Sequence, residues 1–351
     1  MKKNVLLYSH ELKTGGAPAV LCEMGKILKK KYNVVVLSPS DGMMRQQFEQ
    51  NGIEVIISGE ITDLLRNVII QEFEFIVANT TLALPIVIKL AGKIPIYWWI
   101  HENTPAYEGR CGMIEYYQFA AKYAKIFSAG HVAADNFYHF YKIKTEILEF
   151  GLQDNYTAEK DIRKHESINI ICPSTVCELK GQDILVQAIR RMDAGLRDRC
   201  RFIFLGKLRN DNIKEYRMIE KLTEEYVNVE LHSLVEREKL LDLYYDMDVV
   251  IAPSREDATP ATIVEGLMYY RICICSSGTG VSRYLQDGKS GFIFDNENVD
   301  DLKAKLEYVV RNYEELEQLR EQGRTVYEEI YSYDIFEKNV LENIGRLNSC
   351  R

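Results

Sequence analysis

Compact runs of β-branched and other apolar residues recur along the chain. Between them lie longer stretches whose apolar positions return every three or four residues. In the first half the compact runs are "KNVLLYS", "NVVVLS", "EVIIS", "EFIVANT", "IPIYWWI", "KIFSAG" and "TEILEFG". In the second half they are "INIICPS", "RFIFLG", "VNVELHS", "DVVIAPS", "ICICSS" and "GFIFD". Amphipathic segments such as "APAVLCEMGKILKKKY", "DGMMRQQFEQNG", "DILVQAIRRM" and "IKEYRMIEKLTEEY" fill the gaps. Strands that are apolar throughout, alternating with helices, indicate parallel sheets covered on both faces. The expected fold class is therefore α/β.

The alternation stops at the polar, charge-rich stretch "QDNYTAEKDIRKHES" and then restarts. That interruption divides the chain into two doubly wound domains, residues 1–155 and 156–333, followed by a terminal helical segment, 334–351. A length of 351 residues suits two domains. No apolar stretch reaches the length of a membrane span. The start "MKKNVLLYSHELKTGG" reads as a first strand, not as a signal peptide. The eight cysteines show neither metal-ligand nor disulfide-framework spacing, which suggests reduced thiols and a cytoplasmic protein.

Charge changes this picture in one respect. Residues 1–152 carry sixteen basic and fifteen acidic side chains, and residues 153–351 carry twenty-eight and thirty-seven. A near-neutral front and an acidic back argue against nucleic acid as a partner. Two front segments, 26–32 and 122–144, mix lysines with aromatic residues. They read either as solvated helix faces or as a peripheral contact with an anionic membrane surface at its inner face.

In doubly wound sheets, ligands bind beyond the carboxyl ends of the strands. The positions just after strands are His10–Pro18, His101–Asn103, Pro173–Gly181, Gly206–Leu208, Ser254–Glu265 and Ser276–Ser282. Gly15 and Gly16 form either a tight turn or a place where backbone approaches a ligand, ahead of a helix N-terminus. The glycine spacing is not that of a dinucleotide fingerprint. His101 suits orientation of a substrate hydroxyl, or is a hydrogen-bonded loop histidine. His10, His131, His139, His165 and His232 have weaker settings. Lys180, with Ser174 and Thr175, suits a phosphate at a helix start, the plain alternative being a solvated loop lysine. Gly278, Thr279 and Gly280 form a second turn suited to an anion, ahead of a helix whose first N–H groups are unpaired.

The stretch "SREDATPATIVEG" places Asp257 and Glu265 with seven residues between them, the second inside an apolar segment. Thr259 fits an N-cap and Pro260 the first helical position, which sets Glu265 almost two turns into the helix. Ionised carboxylates only accept hydrogen bonds, so acids at a ligand site suit sugar hydroxyls. A hydrolase carboxylate pair, or a helix start beside a solvated acid, are the alternatives.

Taken together, "TGGAPAVLCEMGKILKKKYNVVVLSP", "IHEN", "ILEFGLQD", "STVCELKGQDILVQAI" and "DVVIAPSREDATPATIVEGLM" resemble retaining GT-B glycosyltransferases of the family 4 type over nearly the whole chain. The resemblance implies transfer of a hexose-type sugar, with a UDP-sugar favoured over a GDP-sugar, to a glycan, lipid-linked or glycoprotein acceptor. It implies no cofactor and no metal. It places His101 near the reacting sugar, Asp257 on the transferred sugar, Glu265 on the ribose, and Lys180 on the diphosphate. The family often carries an arginine where Thr175 stands, and Arg255 or backbone donors are the expected substitute. The only Asp-x-Asp triplet, "DMD" at 246–248, precedes a strand and reads as a helix end. "SYDIFEKNVLENIGRL" resembles the terminal helix that crosses back to the first domain. A catalytically silent partner of another glycosyltransferase and a nucleotide-sugar epimerase are the alternative functions.

Overall fold

The computed structural model describes residues 2–161, 166–207, 213–233 and 235–344. His165 and Leu208, both named above, lie outside the described residues. The chain divides into two compact units. One runs to Gly151 and includes the helix Tyr333–Asn343; the other spans Leu152–Ser332.

The first unit holds seven strands: β1 (Asn4–Ser9), β2 (Asn33–Ser38), β3 (Glu54–Ile57), β4 (Ile76–Asn79), β5 (Ile96–Ile100), β6 (Ala124–Ser128) and β7 (Glu146–Ile147). Their order is β3-β2-β1-β4-β5-β6-β7, with every pairing parallel. The core joins Leu6, Ile76 and Trp98 of the sheet to the aromatic rings of Tyr117, Phe137 and Tyr141. Those rings sit on α2 (Ile114–Ala121) and α3 (His131–Tyr141). On the other face, α1 (Gly16–Lys29) packs Leu21, Met24 and Ile27 inward. The helix Tyr333–Asn343 closes this unit through Phe336, stacked on Trp99 at 5.9 Å, and through Glu337, paired with Lys30.

The second unit holds β8 (Ile168–Pro173), β9 (Cys200–Leu205), β10 (Val229–His232), β11 (Val249–Ala252), β12 (Ile272–Ser276) and β13 (Phe292–Phe294). The order is β10-β9-β8-β11-β12-β13, again all parallel. Its core gathers Ile170, Phe202, Val249 and Ile274 against Leu185 and Ile189 of α4 (Gln182–Arg191). The helix α5 (Ala261–Met268) lies so close to the sheet that a Cβ at Gly266 would meet the Cys273 sulfur and Val250.

In each sheet the strand order reverses once, between β1 and β4 and between β8 and β11. Chain leaving neighbouring strands there turns to opposite sides of the sheet and opens a crevice. The Gly15–Gly16 loop and Thr80 follow the strands of the first reversal. Ser174–Lys180 and Ser254–Asp257 follow those of the second.

Asp246 ends a 3₁₀ turn, and buried Asp248 accepts the Asn169 N–H at 2.8 Å and the Tyr313 hydroxyl. The "DMD" triplet is thus a fold element, as read from the sequence. Among the described residues no helix is long and apolar enough to cross a membrane.

Candidate active site

The second unit answers why an acid sits inside an apolar helix. Glu265 is 1 % exposed, and an unpaired carboxylate there would be costly. One oxygen accepts the Tyr244 hydroxyl at 2.6 Å and the other pairs with Arg237. Burial, then the Glu265 charge, hold the Tyr244 phenol well above its ordinary range, so it remains a donor. Glu265 Oε1 has the charge of Arg237 beside it but no hydrogen bond of good geometry, so its lone pairs retain accepting capacity. The helix start differs from expectation by one residue. Pro260 is the N-cap, α5 begins at Ala261, and Glu265 lies little more than one turn inside. Pro260 makes no side-chain cap bond, and the Thr259 hydroxyl donates to the Ala258 carbonyl at 2.7 Å.

Asp257, not the neighbouring Glu256, is the acid turned onto Lys180: Nζ donates to Oδ2. Lys180 ends a 3₁₀ turn, and Gly181 follows in the left-handed region at φ 67°. A Cβ at Gly181 would also strike the Pro253 carbonyl, so only glycine lets α4 begin directly beside the chain leaving β11. Burial works against the Lys180 ammonium, but the Asp257 carboxylate outweighs it and holds the pKa above the ordinary value. Ser174 and Thr175 border the same turn. Gln182 Nε2 donates to Ser174 Oγ at 2.7 Å and to the Thr175 carbonyl at 3.0 Å.

Three expectations for this unit need correction. Arg255 is not a free cation. Its guanidinium makes two bonds to Asp183 at 2.8 Å, one to Glu297 at 2.7 Å and one to the Glu178 carbonyl at 2.6 Å. The segment after Gly280 is a 3₁₀ turn, Gly280–Arg283, not an α-helix. The N–H groups of Gly278, Thr279 and Gly280 are spent on Ser276 Oγ, the Ser276 carbonyl and the Asp257 carbonyl. The Thr279 hydroxyl is likewise used on the Ser276 carbonyl at 2.9 Å, and the residue is fully buried. The glycines are there for close packing, because a Cβ at Gly278 or Gly280 would run into the Arg255 or Ala258 carbonyl. This turn braces the segment that carries Asp257, and its own N–H groups already have internal acceptors.

In the first unit, Gly15 is extended (φ −178°) and heads α1. Neither Gly15 nor Gly16 has a positive φ, and an added Cβ at Gly16 would meet nothing within 4 Å. Neither backbone conformation nor internal packing demands glycine here. The lack of a Cβ leaves open approach to the first N–H groups of α1, which have no intrahelical acceptor. His101 follows β5. Its ring lies 4.5 Å from that of Trp99, and its Nε2 is inaccessible and without a hydrogen-bond partner, although the residue as a whole keeps some surface. Burial, with a smaller contribution from His10, lowers its pKa to about 3. The ring is therefore neutral near pH 7, with a buried polar edge that gains from any hydroxyl placed against it.

Sequence reasoning missed the residues that hold these groups. Tyr244 and Arg237 reach Glu265 from a distant segment, and Gln182 and Asp183 occupy the first turn of α4. Glu102, adjacent to His101 in "IHEN", had a visible signal: a carboxylate at the end of an apolar strand. It accepts the His101 N–H at 2.9 Å and both the N–H and hydroxyl of Thr81, at 2.5 and 3.0 Å. Among the described residues no group of three His, Cys, Asp or Glu stands close enough to hold a metal ion.

Two parallel-sheet units, each with polar residues gathered where the strand order reverses, are the plan of a GT-B glycosyltransferase. The family described as glycosyl transferases group 1 matches residues 141–326, and glycosyl-transferase family 4 matches residues 1–138. The chain belongs to the group 1 glycosyltransferases.

Among solved structures, Anabaena Alr3699/HepE in complex with UDP and glucose superposes with a TM-score of 0.82. It is 17 % identical, with 99 % of this chain and 100 % of that chain covered. A glycosyltransferase from Rickettsia africae gives 0.80 at 18 % identity, with all of both chains covered. Among curated sequences, glycosyltransferase MJ1178 of Methanocaldococcus jannaschii is 26 % identical over 147 residues. That match spans 41 % of this chain and 39 % of that protein. At these structural identities the likeness carries the fold.

Proposed function

We propose that this chain transfers a hexose-type sugar from a UDP-sugar to a glycan, lipid-linked or glycoprotein acceptor, with retention of anomeric configuration and without a metal ion. The observation that carries the reading is the grouping of a half-buried lysine, a buried aspartate and a buried glutamate on the segments that follow β8 and β11. The HepE structure with UDP and glucose supports this choice of donor. Lys180, with Ser174, Thr175 and the start of α4, takes the diphosphate. Glu265 accepts from the ribose hydroxyls through the oxygen that Tyr244 leaves unused. Asp257 accepts from the transferred sugar, and to do so it shares Lys180 with the phosphate. As the glycosidic bond breaks, negative charge grows on the leaving diphosphate, where a fixed ammonium counts most. The first unit takes the acceptor; on it Gly15 and Gly16 serve the donor and His101 stands near the reacting sugar.

The acceptor reading includes contact with an anionic membrane surface. Tyr116, Phe119, Tyr123 and Tyr138 are all exposed on or beside α2 and α3, and Lys122 and Lys142 stand among them. The other basic segment, 26–32, does not contribute equally. Lys26 pairs with Glu23, Lys29 donates to the Asn51 carbonyl, and Lys30 pairs with Glu337.

The test is UDP release from UDP-glucose by the purified chain, with and without EDTA. The expected result is release unchanged by the chelator. Loss in EDTA with recovery in Mg²⁺ or Mn²⁺ would overturn metal independence. Binding of UDP-sugars without any release would favour a silent partner subunit instead.

A further inference from the structure

Thr80 adopts a backbone conformation that its own side chain disfavours. It follows β4 at φ 71° and ψ 163°, a region nearly reserved for glycine and a genuine outlier for a β-branched residue. The main chain is held there from three sides. Its N–H donates to the Trp99 carbonyl at 2.7 Å, and its carbonyl accepts from Trp98 Nε1 at 2.6 Å and from the Ala83 N–H at 3.2 Å. The next residue is clamped by Glu102, which also holds the His101 N–H. The chain ends after β4 and β5 are thus tied to one carboxylate.

None of those bonds to Thr80 needs a side chain. A glycine would make all three without strain. The feature that glycine cannot supply is the hydroxyl, whose Oγ1 lies 2.9 Å from Nδ1 of His10, the residue that follows β1. Ser9 lies in register with Asn79, and Asn79 with Trp99, so His10 and His101 leave the same end of the sheet, where His10 disfavours protonation of the His101 ring. The charged groups that face His10 are Glu11, with Oε1 3.6 Å from Nε2, and Lys13 and Arg110. Burial lowers the His10 pKa, Glu11 opposes the shift, and Arg110 and Lys13 add to it. His10 is therefore a neutral imidazole near pH 7.

We propose that Thr80 is a positioning residue whose strained backbone aims its hydroxyl at His10 and fixes that ring's tautomer and orientation beside His101, so that a pair of imidazoles serves the acceptor's reacting hydroxyl. The proposal rests on the reading above that the first unit takes the acceptor and that His101 stands near the reacting sugar. It adds His10 as the second ring of that site, and it explains why a β-branched residue is kept where glycine fits better.

The experiment compares Thr80→Gly, Thr80→Val and Thr80→Ser with the parent chain. Thermal unfolding, the ¹⁵N resonances and titration of His10, and the pH profile of UDP release from UDP-glucose are read on each. Thr80→Gly is expected to melt no lower than the parent, because relief of strain outweighs the extra freedom of the unfolded chain. It should nonetheless shift the His10 Nδ1 resonance and pKa, move the acid limb of the profile, and lower turnover roughly tenfold to a hundredfold. Thr80→Ser should restore the resonance and most of the turnover. Thr80→Val keeps the shape and should behave as Thr80→Gly in every readout except stability. If it fails to fold, the Gly and Ser variants decide. Unchanged His10 resonances and titration in Thr80→Gly would overturn the proposal, as would parental turnover in a folded Thr80→Gly. If the parent itself releases no UDP, the donor reading fails, and the His10 resonances still decide whether Thr80 sets that ring.

Discussion

The two strand-order reversals present opposite kinds of polar site. In the second unit nearly every charged group already has an internal partner: Lys180 with Asp257, Arg255 with Asp183 and Glu297, Glu265 with Tyr244 and Arg237. In the first unit His101 Nε2 is buried with none, Gly16 leaves open space, and Thr80 is strained. Unpaired charges are costly in a low-dielectric setting, so the donor site proposed for the second unit consists of pairs that a ligand must exchange. A neutral imidazole edge is cheaper to leave unsatisfied, at about 1–3 kcal/mol. It needs no exchange when a hydroxyl arrives. The donor side is therefore expected to be governed by competition among charges, and the acceptor side by positioning.

The largest effect that would break this contrast comes from Lys180→Ala. It leaves the Asp257 carboxylate buried without its partner, at a cost of about 2 kcal/mol once the partial exposure of Lys180 is allowed for. It should also lower UDP-glucose turnover by roughly a hundredfold to a thousandfold. Denaturant unfolding and single-turnover kinetics on one preparation check both. Unchanged stability with unchanged turnover would show that the pair belongs to neither fold nor site.

A smaller effect sharpens the acceptor side. An unfolded histidine titrates near pH 6.5, and His101 in the folded chain titrates at about 3. Between those values the unfolded chain binds the extra proton. The contribution of His101 to stability is therefore complete above pH 6.5, is lost as the pH falls toward 3, and then levels off. The slope approaches about 1.4 kcal/mol per pH unit. The difference in unfolding free energy between the parent and His101→Phe, measured across pH 7 to 4, should show this slope. A flat difference would mean that the ring is not held neutral.

The smallest effect concerns the aromatic and basic surface of α2 and α3. Vesicles with anionic lipid should sediment more protein than neutral vesicles, and the excess should fade with salt, since exposed charges are screened over about 10 Å at 0.1 M. Tyr116→Ser with Phe119→Ser should reduce it. Equal recovery on neutral and anionic vesicles would remove the membrane reading.

Among the described residues all thirteen strands fall within the compact apolar runs; the central ones, buried on both faces, read as uninterrupted apolar stretches, while β3, β7 and β10 are shorter and more exposed. Most of the short helices of the first unit were not legible in the sequence, since five to ten residues with mixed faces leave little periodicity; Asp63–Glu72 and Thr104–Glu108 are examples. At the site, Asp257, Glu265 and Lys180 stood out because acids and a lysine beside apolar strands are unusual. The partners of Glu265 did not, because Tyr244 and Arg237 are ordinary helix residues until the fold brings them close. The glycines at 278 and 280 have a packing role that the sequence could not separate from ligand binding: a turn that lets backbone approach a phosphate looks the same in sequence as one that lets backbone approach backbone. Thr80 gave no signal, because residue type alone argues against its conformation.

The central claim is that Glu265 holds the nucleotide while Asp257 holds the sugar. Calorimetric titration of UDP into the parent, Glu265→Ala and Asp257→Ala chains tests it most directly. Loss of a charge-assisted hydrogen bond is worth about 1.5–3 kcal/mol, so Glu265→Ala should weaken UDP roughly tenfold or more. Asp257→Ala should bind UDP at least as well as the parent, because it frees Lys180 for the phosphates, while UDP-glucose turnover falls. If Asp257→Ala abolishes UDP binding and Glu265→Ala leaves it intact, the two acids have been assigned in the wrong order.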